Sequence, residues 1–263
     1  MYEYDELSIY RGRDIQITNT IKITQPTLGQ IEKFGEQKYF SAIHTLTSVG
    51  ADLKWQLWDL GIDYTKIEDF DLFIKLTSQL LCSKKSNITS STTDEEKKEM
   101  IINPLQLVLN IDLADYTPCR DNRNNEIILY NRENDSTIDK FVYIKIVDVI
   151  RKIHNLKRNN EIPGNETTKM ILIEDARDEY NIAKNKPYKS LLMPLISALT
   201  NCAGFKYGIN EIWDMKINAF FDSVNRINRI QESNYLLQGA YSGFSSLKGV
   251  DKSRLNWTSS LDD

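Results

Sequence analysis

Residues 138–156 read IDKFVYIKIVDVIRKIHNL, and this stretch constrains the fold more than any other. Phe141, Val142, Ile146, Val149, Ile150 and Ile153 crowd the circumference of any helix built on it. A helix this apolar is stable only when neighbouring elements cover most of its surface. The stretch predicts a central helix and requires the rest of the chain to supply its cover.

Several segments carry the spacing for that role. Ile15 and Ile17, then Ile21 and Ile23, alternate around Thr18-Asn19-Thr20, which predicts a short β-hairpin. Pro26 suits the first turn of a following helix, where its missing N–H is no loss. Leu28, Ile31, Phe34, Tyr39, Ile43 and Leu46 continue at helical spacing, with a break expected at Gly35. Leu53, Leu57 and Leu60, widened by Trp55 and Trp58, form another helical stripe that stops at Gly61. Thr65 with Glu68, and Ser136 with Asp139, have the spacing of capping boxes. Ile127–Tyr130 reads as a strand, because Ile and Tyr suit a half-buried sheet. Pro163-Gly164 marks a turn before the amphipathic stretch TTKMILIEDARDEYNIAK. Pro187 is a candidate start for the next helix, and Pro194 predicts a kink or an exposed first turn.

The expected fold class is mainly α-helical, α+β: a short N-terminal β-hairpin, a multi-helix bundle and a polar C-terminal tail. The chain of 263 residues allows one large domain or two small ones. The polar stretch SKKSNITSSTTDEEKKE places a boundary near 84–98. The expected division is 1–90 for the strand pair and first helices, 91–135 for a linker with short mixed elements, 136–244 for a C-terminal helical domain, and 245–263 for a flexible tail.

Composition narrows the function classes. Hydrophobic residues make up 41% and charged residues 27%, an ordinary globular balance. The formal charge of −4 argues against wholesale phosphate binding. Cys82, Cys119 and Cys202 are far apart and form no CxxC, so neither a disulfide framework nor a local zinc site is expected. No secretory leader or apolar spanning run is read, and a cytoplasmic protein is expected.

Candidate chemistry is sparse. His44 and His154 have no Cys or second His at metal-ligand spacing. His44 reads as a structural histidine, and His154 as a surface position at a helix end. Glu174 and Asp178 share a helical face but read as a solvated acidic surface around Arg177. The glycine-rich phosphate loops, GxSxG and HExxH are all missing. No catalytic residue, metal site or cofactor is expected. Arg151, Lys152, Lys157 and Arg158 form the one basic segment suited to phosphate contact. The dipole at a helix C-terminus explains the same cations without nucleic acid.

The stretch INEIWDMKINAFFDSVNRINRIQESNYLLQGAYSG spans 209–243. Ile217, Phe220 or Phe221, Val224, Ile227 and Ile230 recur every three to four residues and predict a buried helical stripe. Asp214 is its candidate cap, Trp213 its packing anchor, and Tyr235–Leu237 a second short turn. Trp213, Phe220, Phe221, Val224, Ile227, Tyr241 and Trp257 are the candidate packing or partner-binding residues.

IYRGRDIQITNTIKITQPTLGQIEKFGEQKYF near the start resembles tail proteins of phages and prophages of Gram-positive bacteria. So do NKPYKSLLMPLISALTNCAGFKYGINEIWDM, WDMKINAFFDSVNRI and LLQGAYSGFSSLKGVDKSRLNWTSSLDD. Within that set the chain resembles tail assembly chaperones. The resemblance implies a nonenzymatic, largely helical factor that forms oligomers in the host bacterial cytoplasm. Its implied partner is the tape-measure protein, kept soluble by apolar helix faces until the tail tube polymerises around it, with the tube protein a second candidate partner. No membrane partner is implied. A structural virion or tail component and a phage nucleic-acid-binding protein are the alternative readings.

Overall fold

A computed structural model describes residues 5–86, 104–121, 125–244 and 246–261, with the side chains of 78–86 and 104 outside the description. The architecture is mainly helical, with two small antiparallel sheets. Helix α1 (Glu6–Tyr10) precedes the hairpin β1 (Ile15–Gln16) and β2 (Lys22–Ile23). Helices α2 (Leu28–Phe34) and α3 (Glu36–Thr47) meet at Gly35, whose φ of 101° suits glycine. Thr27 and Gln30 form a reciprocal capping box that starts α2. A 3₁₀ turn leads into α4 (Lys54–Asp59), and Gly61 turns the chain after it. Helix α5 spans Asp69–Ser86. Residues 87–98 of the expected boundary lie outside the described residues, while 84–86 continue α5.

Strands β3 (Thr117–Arg120), β4 (Ile127–Asn131) and β5 (Ser136–Ile138) form an antiparallel sheet in sequence order. The central helix follows as α6 (Lys140–Ile153). Then come α7 (Glu166–Ala183), α8 (Leu192–Thr200), α9 (Ile217–Tyr241) and the short α10 (Lys252–Leu255).

Helix α6 has the predicted central place. Tyr143, Ile146, Val147, Ile150 and Ile153 fall at helical spacing and are buried, with Val149 beside them. Phe141 is 69% exposed instead. It shares the outer face with Ile144 and Asp148, because 100° per residue carries it away from Tyr143. One buried cluster joins α6 to Ile9, Ile21 and Ile23, α2, α3, Leu109, α8 and Phe220 of α9. A second holds Val49, Leu57, Tyr64, Leu72 and Ile173, and seats α7 against α4 and α5. Gly50 makes that approach possible, since a Cβ there would lie 2.2 Å from the Tyr64 carbonyl oxygen.

Neither expected capping box forms. Thr65 gives its amide and hydroxyl to Asp63, and α5 starts only at Asp69. Asp139 is itself the N-cap of α6, accepting from the Val142 amide at 2.7 Å. Ser136 stays extended because β5 pairs with β4, and its hydroxyl joins a network with Thr20 (2.7 Å) and Tyr116 (2.8 Å). Pro187 starts no helix. Helix α8 begins at Leu192, where the Glu36 carboxylate accepts from the Leu191 and Leu192 amides at 2.7 Å each. Pro194 then sits in the first turn, where a missing donor is tolerated.

The 209–243 stretch differs in two respects. Tyr235–Leu237 belongs to α9, which runs unbroken for 25 residues. Asp214 does not cap it, since the N-cap position is Lys216 with no side-chain cap. Backbone pairing fixes the start: Leu28 donates to the Met215 carbonyl and Ile217 donates to the Pro26 carbonyl, each at 3.1 Å. The Lys216 ammonium adds a 2.6 Å bond to the Gln25 carbonyl. The starts of α2 and α9 are thus locked together across most of the sequence.

Candidate functional site

Helix α1 is short and docks through one residue. Asp5 caps it by accepting from the Leu7 amide, and Ile9 turns into the core. The Gln25 side chain donates to the Ile9 carbonyl at 2.8 Å, and Glu6 pairs with Lys152 at 2.6 Å. Gly12 then lets the chain turn against the Lys216 side chain, with φ at 74°. This anchoring leaves Leu7 (77% exposed) and Tyr10 (52% exposed) facing outward.

Opposite them run the 3₁₀ turn Ile212–Asp214 and the first half of α9. Between the two walls lies a depression of about 590 Å³, whose lining includes Leu7, Tyr10, Tyr207, Met215 and Ala219. Tyr10 also borders a second depression of about 490 Å³ with Asp222, Arg226, Trp257 and Thr258. The two share Tyr10 and both border α9, and are described together as a groove. Tyr207 and Trp257 are about half exposed, so three aromatic rings and Leu7 meet solvent there. Arg11, Glu211 and Asp214 form a charged border. Aromatic bodies with polar tips inside a charged rim suit contact with another protein. A depression of about 610 Å³ lies near α5 and β4, but Ile127 is the only strongly exposed large apolar residue lining it. The aromatic groove is the better candidate.

Residues 184–262 match the family model described as YomV second domain.

That name is associated with phages and prophages, and the match covers less than a third of the chain. The matched segment contributes Tyr207, Met215, Ala219, Arg226 and Trp257 to the groove, and α1 contributes the facing wall. No curated protein and no solved structure gave a significant match.

The predicted partner or packing residues divide between interior and surface. Phe220 is fully buried, and Phe221, Val224 and Ile227 pack against the same cluster. Trp213 sits at the boundary, 36% exposed, with its backbone and Cβ close to Gly29. Tyr241 is exposed at the far end of α9, and Trp257 borders the groove. Sequence reasoning missed Leu7, Tyr10 and Tyr207. The Asp5 cap ahead of apolar Leu7 and Ile9 was the available signal, but a five-residue helix is too short for periodicity to reveal.

The basic segment is largely engaged within the fold. The Arg151 guanidinium turns inward and donates to the Thr47 carbonyl at 2.5 Å. Burial lowers its affinity for its proton. Lys152 pairs with Glu6, Arg158 pairs with Asp69 at 2.9 Å, and Lys157 is exposed.

His154 is not at the surface. It is 3% exposed and links two helices. One ring nitrogen lies 2.6 Å from the Tyr39 hydroxyl of α3, and the other lies 2.7 Å from the Ile150 carbonyl. The Ile150 carbonyl can only accept, so Nδ1 carries the proton and Nε2 accepts from Tyr39. Burial pushes the imidazole pKa down to about 4. The sequence signal misled because the partner that lets His154 turn inward, Tyr39, lies far away in the chain. His44 is exposed, with Nδ1 3.1 Å from the Ser48 hydroxyl. Among the described residues, no three His, Cys, Asp or Glu side chains are grouped to hold a metal. No helix among them is long and apolar enough to cross a membrane.

Proposed function

We propose that this chain is a nonenzymatic phage tail assembly factor. It acts in the host bacterial cytoplasm, where it binds helical segments of the tape-measure protein and keeps them soluble until the tail tube polymerises. The observation that carries this reading is the aromatic groove between α1 and α9, built largely from the segment that matches YomV second domain. An amphipathic helix laid along the groove would bury its apolar stripe against Leu7, Tyr10 and Tyr207. Chaperoning then follows from reversible burial: the partner's stripe is shielded from its own kind and released when tube subunits offer more contact.

Co-expression with tape-measure segments tests the reading. The native chain retains a helical segment in a pull-down. The Tyr10→Ser/Tyr207→Ser variant, with unchanged helical content, loses affinity by about tenfold or more, as aromatic anchors at interfaces do. Soluble tape-measure protein that never associates with the chain would refute it. So would association that ignores both tyrosines.

A further inference from the structure

One end of the groove is formed by the C-terminal segment. Residues 251–259 fold back along α9, and side chains of α9 hold them by main-chain carbonyls. Arg226 donates to the carbonyls of Trp257 (2.6 Å) and Ser259 (2.8 Å). Arg229 donates to Ser253 at 3.2 Å, and Ser233 donates to Leu255 at 2.8 Å. The Ser253 and Leu255 carbonyls belong to α10, and those of Trp257 and Ser259 to the turn after it. An ion pair between Arg254 and Glu232 adds to the seat. None of residues 251–259 is buried. Helix α6, by contrast, is seated by six apolar side chains that are all buried. Apart from half-buried Leu255, which lies over the buried Ser233, the segment is held by polar contacts. Such contacts open locally, well below the free energy of global unfolding. Trp257 and Thr258 of this segment also form a wall of the second depression.

We propose that residues 251–259 are a displaceable strap that closes the Trp257 end of the groove, and that a helical partner must lift it to lie along α9. This rests on the groove being the partner site. The strap acts as a competitor within the same chain. It occupies its seat by proximity and lowers the apparent affinity for a partner without contributing to the fold's core.

Hydrogen exchange on the full chain, with and without a helical tape-measure segment, tests the proposal together with a binding titration. The Arg229→Ala/Ser233→Ala variant removes two strap contacts and leaves the groove lining intact. The expected result is exchange at the Asn256 and Ser259 amides at least tenfold faster in the variant, with α6 amides unchanged. Partner affinity then rises severalfold, and adding partner to the native chain speeds exchange at the same two amides. Binding that leaves those amides as protected as before overturns the strap, as does a variant affinity that is equal or lower. If neither protein binds the segment, the groove reading fails and the strap's regulatory role fails with it, an outcome distinct from binding with the strap in place.

Discussion

The buried His154–Tyr39 pair makes the fold sensitive to mild acid. The folded pKa of His154 is about 4, below its ordinary 6.5, because protonation would place a charge in the core. Above pH 6.5 the ring is neutral in both folded and unfolded chains and has no effect on the balance. As the pH falls below 6.5, the unfolded chain takes up the proton and the folded chain does not, so stability drops until the folded ring also titrates near pH 4. The slope is about 1.4 kcal/mol per pH unit, so the loss is roughly 2 kcal/mol at pH 5 and roughly 3 kcal/mol at pH 4. Replacing His154 alone would strand the Tyr39 hydroxyl, which is itself buried. The informative variant is His154→Phe/Tyr39→Phe, which replaces both partners by apolar rings and leaves neither member of the pair unpaired. Urea unfolding at pH 7 and pH 5 measures the effect. The native chain should lose about 2 kcal/mol more than the double variant between the two pH values, other titrating groups being common to both. Equal losses in the two proteins would refute the assignment of His154 as the buried neutral base.

Three further outcomes follow from local geometry. Gly50→Ala places a methyl 2.2 Å from the Tyr64 carbonyl, and should cost about 3 kcal/mol or more in urea unfolding, as overpacked sites do. Within α9, Phe220→Ala should cost about 3–5 kcal/mol, whereas the exposed Tyr241→Ser should stay within about 0.5 kcal/mol; similar losses at both would contradict a core place for Phe220 and a surface place for Tyr241. Arg151→Ala should destabilise by about 1–3 kcal/mol through loss of the Thr47 contact, with Lys157→Ala neutral. Salt-sensitive nucleic-acid binding that Arg151→Ala abolishes without affecting stability would favour the phosphate-contact reading instead.

Much of the fold was legible because local periodicity reports which residues must be covered. The hairpin at Ile15 and Ile23, the break at Gly35, the stop at Gly61, the strand at Ile127 and the dense helix after Asp139 all follow from spacing or turn chemistry within a few residues. The failures share one cause. Ser136, Thr65 and Asp214 are good caps in isolation, but sheet pairing, Asp63 and the clasp between Pro26 and Ile217 override them. The groove was hardly legible, since its walls come from residues 7–11, 207–226 and 257–258 and no local pattern links them.

The central place of α6 and the buried stripe of α9 follow from the order of side chains, on which 3.6-residue periodicity depends. Which polar groups became interior and which aromatics remained exposed was set by contacts between distant segments. His154 and Arg151 went inward because Tyr39 and the Thr47 carbonyl were there to pair with them. Tyr10 stayed outside because Ile9 beside it filled the core position of the short helix α1. Burial of a polar group depends on a partner brought from far along the chain, and that meeting exists only once the chain has folded.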